Sequence, residues 1–300
     1  MASLRAFLSG LIDYAGLFPP AQLDMQSAVR NYAEYRAGTD RDLLGRFVVP
    51  ASRLEEFAGA ARAMLDRGTG SVPWSLSVLA DGDLLAARKA MLEFTSSHMS
   101  SSEGGHAMAD AVEIRAVNPQ QIASAADAFP QPLQLFFEIS PASGYERMLE
   151  VAASCRAAAK IRTGGVTHDA FPSSGAVVSF VAACDELGLP FKATAGLHHA
   201  LCGTYPLTYE SGSDCGAMFG YLNLLLSAAF IRKGIEAAGA RAILEEVSID
   251  AFSFRNGSVS WKGNDLSRDD LRMTRSQLFL SFGSCSFREP VDEAKALGLI

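Results

Sequence analysis

The chain has 300 residues, of which 49% are hydrophobic and 20% charged, the balance of an ordinary folded protein and not of a disordered one. A net charge of −7 argues against a nucleic-acid or anionic-membrane partner, because either needs a basic footprint. No uninterrupted apolar run reaches the ~20 residues that a membrane-spanning helix needs.

In chain order, MASLRAFLSGLIDYAG is apolar but broken by Asp13, and reads as a first structural element rather than a cleaved signal. Apolar runs of strand length lie at 11–18, 46–49, 74–80, 111–117, 133–139, 157–162, 191–195 and 279–287. Segments with helical spacing alternate with them. Ala28, Tyr32 and Tyr35 share one face, and Leu54, Phe57, Ala58, Ala61 and Leu65 share another. Further helices are expected over about 83–98, 119–128, 145–156, 174–187, 216–236 and 290–298. Ser52 precedes Glu55 at capping-box spacing, and Asn118-Pro119 pairs an N-cap with a proline at the first helical position. Gly188-Leu189-Pro190 ends the helix before the seventh run.

Three segments interrupt the alternation. Residues 96–106 have the composition of a flexible loop. Residues 197–216 form a long loop after the seventh run, of a length suited to a lid. Residues 252–261 read as a hairpin inserted around Asn256-Gly257. Eight strands alternating with helices, with no long polar linker, predict an α/β fold: one (β/α)8 TIM barrel over residues 1–300. An open doubly wound sheet is the alternative. The cysteines (155, 184, 202, 215 and 285) are odd in number and form no Cys-x-x-Cys pair. A disulfide scaffold or zinc ribbon is not expected, and a reducing cytoplasm is. Barrels often associate, so a homo-oligomer stays open.

Barrel active sites form at the C-terminal ends of the strands. Charged residues inside apolar strands are the informative ones there, because an unpaired buried charge is costly. The first strand carries Asp13, the fourth Glu113 and Arg115, the fifth Glu138, and the sixth Lys160 and Arg162 followed by Thr163-Gly164-Gly165. The seventh carries Lys192 and Thr194 with His198-His199 after it, and the eighth ends in Gly283-Ser284-Cys285-Ser286. A buried ion-pair network would account for such a set. So would a site for an anionic substrate, since the group is net positive.

Only six of the 26 basic residues are lysines, and two of them, Lys160 and Lys192, fall on adjacent strands. A desolvated lysine beside a second cation has its pKa lowered and can attack a carbonyl to form an imine. Lys160, Lys192 and Glu113 or Glu138 as proton relay would supply the parts. Arg162, Arg115, Thr163, Gly164, Thr194, His198, His199, Ser284, Ser286 and Asp13 are the candidate substrate-binding residues.

The motifs Lys160-Ile-Arg-Thr-Gly164, Lys192-Ala-Thr-Ala-Gly196 and Phe282-Gly-Ser-Cys-Ser286 resemble those of deoxyribose-phosphate aldolases and related class I aldolases. The resemblance covers under half of the chain, in its C-terminal part. It implies Lys160 as the imine-forming lysine, Lys192 as the neighbour that lowers its pKa, and a carbon–carbon lyase that needs no cofactor. Two other classes stand beside it. A metal-dependent barrel lyase or hydrolase would hold a divalent ion with His198, His199 and Asp13 or Glu138. A barrel that binds a small anion without turnover would instead pair Lys160 with a glutamate and cap it from solvent. Cys285 reads as a buried structural thiol, with no histidine implied beside it.

Overall fold

The computed structural model describes residues 4–66, 72–100, 105–129, 132–255 and 258–300. Eight parallel strands close into a barrel: β1 (Ile12–Tyr14), β2 (Leu44–Pro50), β3 (Trp74–Leu79), β4 (Ala107–Arg115), β5 (Gln134–Glu138), β6 (Ala158–Arg162), β7 (Phe191–Thr194) and β8 (Phe279–Ser284). β1 pairs with both β2 and β8, so the ring has no edge and the open-sheet alternative falls away. Helices alternate with these strands, as in a (β/α)8 barrel. Among the described residues no helix is long and apolar enough to cross a membrane.

Local chemistry fixes the helix ends. Asp24 caps helix Met25–Ala37 by accepting from the Ser27 amide, and Asn118 caps Pro119–Ala128 by accepting from the Gln121 amide. The first of these helices buries Ala28, Val29 and Tyr32, and the Tyr32 ring meets Phe47 at 5.4 Å and Trp74 at 5.1 Å. Gly188 takes φ +60° and closes helix Ser174–Glu186. Ser267 and Asp270 form a reciprocal capping box before helix Arg268–Gln277.

Four sequence expectations are corrected. Ser52 does not cap a helix, because its hydroxyl is taken by Asp81 and Ala51–Arg53 is a 3-10 turn. The loop expected over 96–106 is helical at its start: helix Leu84–Ser100 runs through it, and residues 101–104 lie outside the described residues. The helix expected over 216–236 spans only Tyr221–Arg232. Gly234, at φ +87°, ends it, and a separate helix, Ala237–Leu244, follows. The long loop after β7 is organised by an antiparallel pair, Gly203–Pro206 with Cys215–Met218. The later insertion pairs Phe252–Arg255 with Ser258–Trp261 and adds a third strand, Asn264–Leu266. The turn residues 256–257 lie outside the described residues.

Inside the barrel, the residues two positions before the charged ones are apolar. Ala111, Phe136 and Ala158 form a small cluster of their own, one layer towards the N-terminal ends of the strands. The charged layer therefore rests on a dry floor.

Candidate active site

Strand register builds the site. Glu138 of β5 lies beside Lys160 of β6, Lys160 beside Lys192 of β7, and Lys192 beside Ser281 of β8. Register neighbours in a parallel barrel point to the same side, so these four side chains share one inward layer. Asp13 enters that layer from β1 and Glu113 from β4.

One carboxylate joins the two lysines. Glu113 Oε2 lies 2.7 Å from Lys160 Nζ, while its Oε1 accepts from Lys192 Nζ at 2.7 Å and from the Ser77 hydroxyl at 2.6 Å. Lys160 Nζ also lies 2.7 Å from Glu138 Oε2. Lys192 donates to Asp13 Oδ2 at 2.6 Å, and that oxygen also accepts from Ser281 Oγ at 2.8 Å. The other Asp13 oxygen accepts from the Arg46 amide at 2.8 Å. The Lys192 ammonium sits 5.1 Å from the centroid of the Phe136 ring. Three carboxylates against two ammonium groups leave this network one negative charge when all are ionised.

Burial grades the network. Asp13 is 0% exposed, Lys192 1%, Glu113 2% and Lys160 4%, whereas the Glu138 side chain keeps 18% of its surface. Burial alone would raise Glu113, but Lys160 and Lys192 outweigh it and hold the carboxyl well below the usual range. Burial alone would lower Lys160, but attraction and hydrogen bonds from Glu113 and Glu138 hold it above the ordinary lysine value. This corrects the expected role of Lys192. The ammonium of Lys192 is spent on Asp13 and Glu113, so its repulsion does not prevail at Lys160, and the resting form of Lys160 is an ammonium ion.

Above this layer lies a cavity of about 350 Å³ at the C-terminal ends of the strands. Lys160, Lys192, Glu113 and Glu138 form its charged wall, with Arg115, Arg162, Thr194 and His198 around them. Among the described residues neither Arg115 nor Arg162 has an ion-pair partner, and both are exposed; Arg162 makes only a long contact of 3.5 Å to the Gly164 carbonyl. The opposite wall is mainly apolar: Ala15, Phe18, Pro19, Val48, Leu79 and Ala80, with Asp81 beside them.

Several predicted binding residues do not face this cavity. Asp13 lies beneath it, tied to Lys192 and Ser281. Thr163 is buried and donates to the Ala195 carbonyl at 2.7 Å, and Gly164 lies so close to the Gly196 backbone and the Phe171 ring that no side chain would fit there, so both serve the joint between two loops. Ser284 Oγ lies 3.3 Å from His198 Nδ1, and Ser286 Oγ accepts from the Glu289 amide at 3.2 Å. Neither serine lines the cavity, and Gly283 and Cys285 of that loop do so instead. His199 turns away to Glu293, at 2.5 Å, and stacks on Tyr205. The expected metal set of His198, His199 and Asp13 or Glu138 therefore does not assemble. Among the described residues no three His, Cys, Asp or Glu side chains converge in a metal-binding group.

Sequence reasoning missed some neighbours. His198 Nδ1 lies 3.7 Å from Cys285 Sγ, a pairing not implied by spacing. Burial lowers His198 to about 4 and raises Cys285 to about 11, so both are neutral near pH 7. Ser77 and Ser281 hold the network's carboxylates, and a serine inside an apolar strand is a signal that could have found them. Comparison with protein-family models, curated proteins and solved structures gives no match, so the functional reading rests on the site alone.

Proposed function

We propose that the protein is a carbon–carbon lyase of the class I aldolase type, in which Lys160 forms an imine with a small anionic carbonyl compound. The observation that carries this is the placement of a buried lysine in the wall of an open cavity, within hydrogen-bond reach of a partly exposed glutamate. Glu138 is the relay in this scheme, because Glu113 is buried and locked in its ionised form between two ammonium groups.

In the first step Lys160 gives up its proton to solvent by way of Glu138, and its free amine adds to the carbonyl. The carbinolamine takes a proton back and loses water, leaving a protonated imine. A β-hydroxyl of the bound substrate then gives its proton to Glu138, the carbon–carbon bond breaks towards the imine, and an aldehyde departs. The remaining enamine takes that proton at carbon, and water releases the second product and restores Lys160. The sequence needs no cofactor. Lys192 keeps Glu113 anionic and in place. Arg162 and Arg115 hold the anionic group by charge-assisted hydrogen bonds. The free state of all five cysteines supports a cytoplasmic setting.

A second reading, a small-anion-binding barrel without turnover, is favoured by the double ion pair on Lys160. Mass spectrometry after borohydride reduction separates the two. The protein is incubated with small aldehydes, ketones and 2-oxo acids, beside Lys160→Ala. The expected result is a reduced adduct in the unaltered protein and none in the variant. An adduct that survives Lys160→Ala, or none with any carbonyl, moves the assignment to the second reading.

A further inference from the structure

A second hollow, of about 600 Å³, opens beside the catalytic cavity over the ends of β4, β5 and β6. The two share Arg115, Glu138 and Arg162 as a common wall. Beyond that wall the lining turns largely apolar, with Val117, Met148, Phe171, Pro172 and Ala176, while Ser140 and Asp169 are its polar side chains. Val117 is 64% exposed, a large apolar side chain left open to solvent. The two arginines are thus flanked by a reactive lysine on one side and an apolar trough on the other.

We propose that the trough is a substrate subsite, and that the substrate is a carbonyl-bearing carboxylic acid, such as a 2-oxo acid, with an apolar substituent of several carbons. The carboxylate sits between Arg115 and Arg162, whose planar forks suit it. The carbonyl faces Lys160, and the substituent leaves the cavity over the shared wall into the trough. A carboxylate fits better than a phosphate, because neither Ser284 nor Ser286 lines either hollow and the two planar guanidinium forks are the donors at the shared wall. The combined hollow is of the size that encloses a ligand larger than a three- or four-carbon acid. This inference rests on the imine reading for the position of the carbonyl, but the trough and the arginines are testable without it.

The test uses acids that cannot form an imine. Titration calorimetry compares butanoate, octanoate, octanol and octyl phosphate on the unaltered protein. Full burial of a methylene gives about a fourfold gain, so a half-covered trough gives about twofold each and about 16-fold from butanoate to octanoate. Octanol, lacking the charge, is expected to bind far more weakly. Ala176→Trp fills the trough and Val117→Asn, at an exposed position, makes it polar without adding charge; folding of both is checked by circular dichroism. Each is expected to erase the octanoate advantage while leaving butanoate binding within twofold. Equal affinity for butanoate and octanoate, no binding of either, or an advantage that persists in both folded variants overturns the subsite. Preference for octyl phosphate over octanoate overturns the carboxylate. Borohydride trapping with pyruvate and 2-oxooctanoate is run alongside. Selective octanoate binding without any adduct leaves the subsite standing and removes the imine, whereas adducts with no dependence on chain length do the reverse.

Discussion

The two sides of the barrel mouth face each other across one cavity with opposite chemistry. From β1 to β3 the wall is Ala15, Phe18, Pro19, Val48, Leu79 and Ala80, while from β4 to β7 it is Glu113, Arg115, Glu138, Lys160, Arg162 and Lys192. The apolar side is not idle in the electrostatics. It sends Asp13 and Ser77 beneath the cavity floor, where they serve as partners for Lys192 and Glu113. One side thus lowers the local dielectric and supplies anchors, and the other carries the ionised groups that the cavity reaches. Charges survive in such a place only when each is paired. The consequence is that the same residue can be a structural post or a chemical group according to how much of its surface the cavity reaches. Glu113 and Glu138 differ in this way.

The largest effect is expected where the two sides are tied together. Glu113→Ala leaves Lys160 with Glu138 and Lys192 with Asp13 but removes the anion they share, and losing two buried hydrogen bonds between charged groups costs about 3–5 kcal/mol. Urea denaturation at pH 7 checks it. The same carboxyl, held below its usual value, contributes stability that is present above its unfolded value near pH ~4.3 and is lost as pH falls through its lower folded value. The difference between the unaltered protein and Glu113→Gln is therefore expected to shrink on acidification below about pH 4. A loss under about 1 kcal/mol at pH 7 would contradict the sharing of Glu113 by both lysines.

A second expectation concerns Lys160 itself. Its amine is held above the ordinary lysine value by Glu113 and Glu138 against the effect of burial, so only a small neutral fraction exists at pH 7. That fraction grows about tenfold per pH unit below the folded value. The initial rate of adduct formation, read by mass with cyanoborohydride present, is expected to rise by roughly 100-fold from pH 7 to 9. For stability the sign is opposite: the raised value favours the folded state below the unfolded lysine pKa and ceases to do so as pH rises through the folded one. A rate that levels off by pH 8 would mean that substrate entry breaks the carboxylate cage before the amine reacts.

The charged side was more legible in the sequence than the apolar side, for a physical reason. A lysine or glutamate inside an apolar strand is an exception that needs a cause, so Lys160, Lys192, Glu113 and Glu138 stood out. Val48 and Leu79 look like any core residue, because period-two spacing does not say whether an apolar side chain meets another or meets a cavity. The eight strands were readable from their apolar runs and the helix caps at Asn118 and Gly188 from local chemistry. Loop directions were not. Ala195 and Gly196 both take positive φ, of 63° and 72°; the Ala195 carbonyl accepts from Thr163, and after the turn His199 pairs with Glu293 while His198 stays at the edge of the cavity. The partners Ser77 and Ser281 required knowing the register between strands, which no single strand encodes.

The smallest effect sharpens where the charged side ends. The strand pair after β7 is anchored at its base by Tyr205 stacked on His199, with ring centroids 3.4 Å apart. Near its tip, Tyr209 donates to Glu289 Oε2 at 2.9 Å, and its oxygen lies 3.5 Å from Cys285 Sγ in the cavity wall. Tyr209 is 55% exposed, so this hydrogen bond competes with water and contributes about 1 kcal/mol. Tyr209→Phe is expected to leave global stability nearly unchanged. It is expected to speed amide hydrogen exchange about fivefold in residues 203–218, the factor equivalent to that energy. If the exchange of this segment does not change, the tip is held by Leu207, which is buried, and the tyrosine only rests on the wall. If exchange accelerates and adduct formation rises with it, the segment covers the charged side of the cavity and its opening governs entry to Lys160.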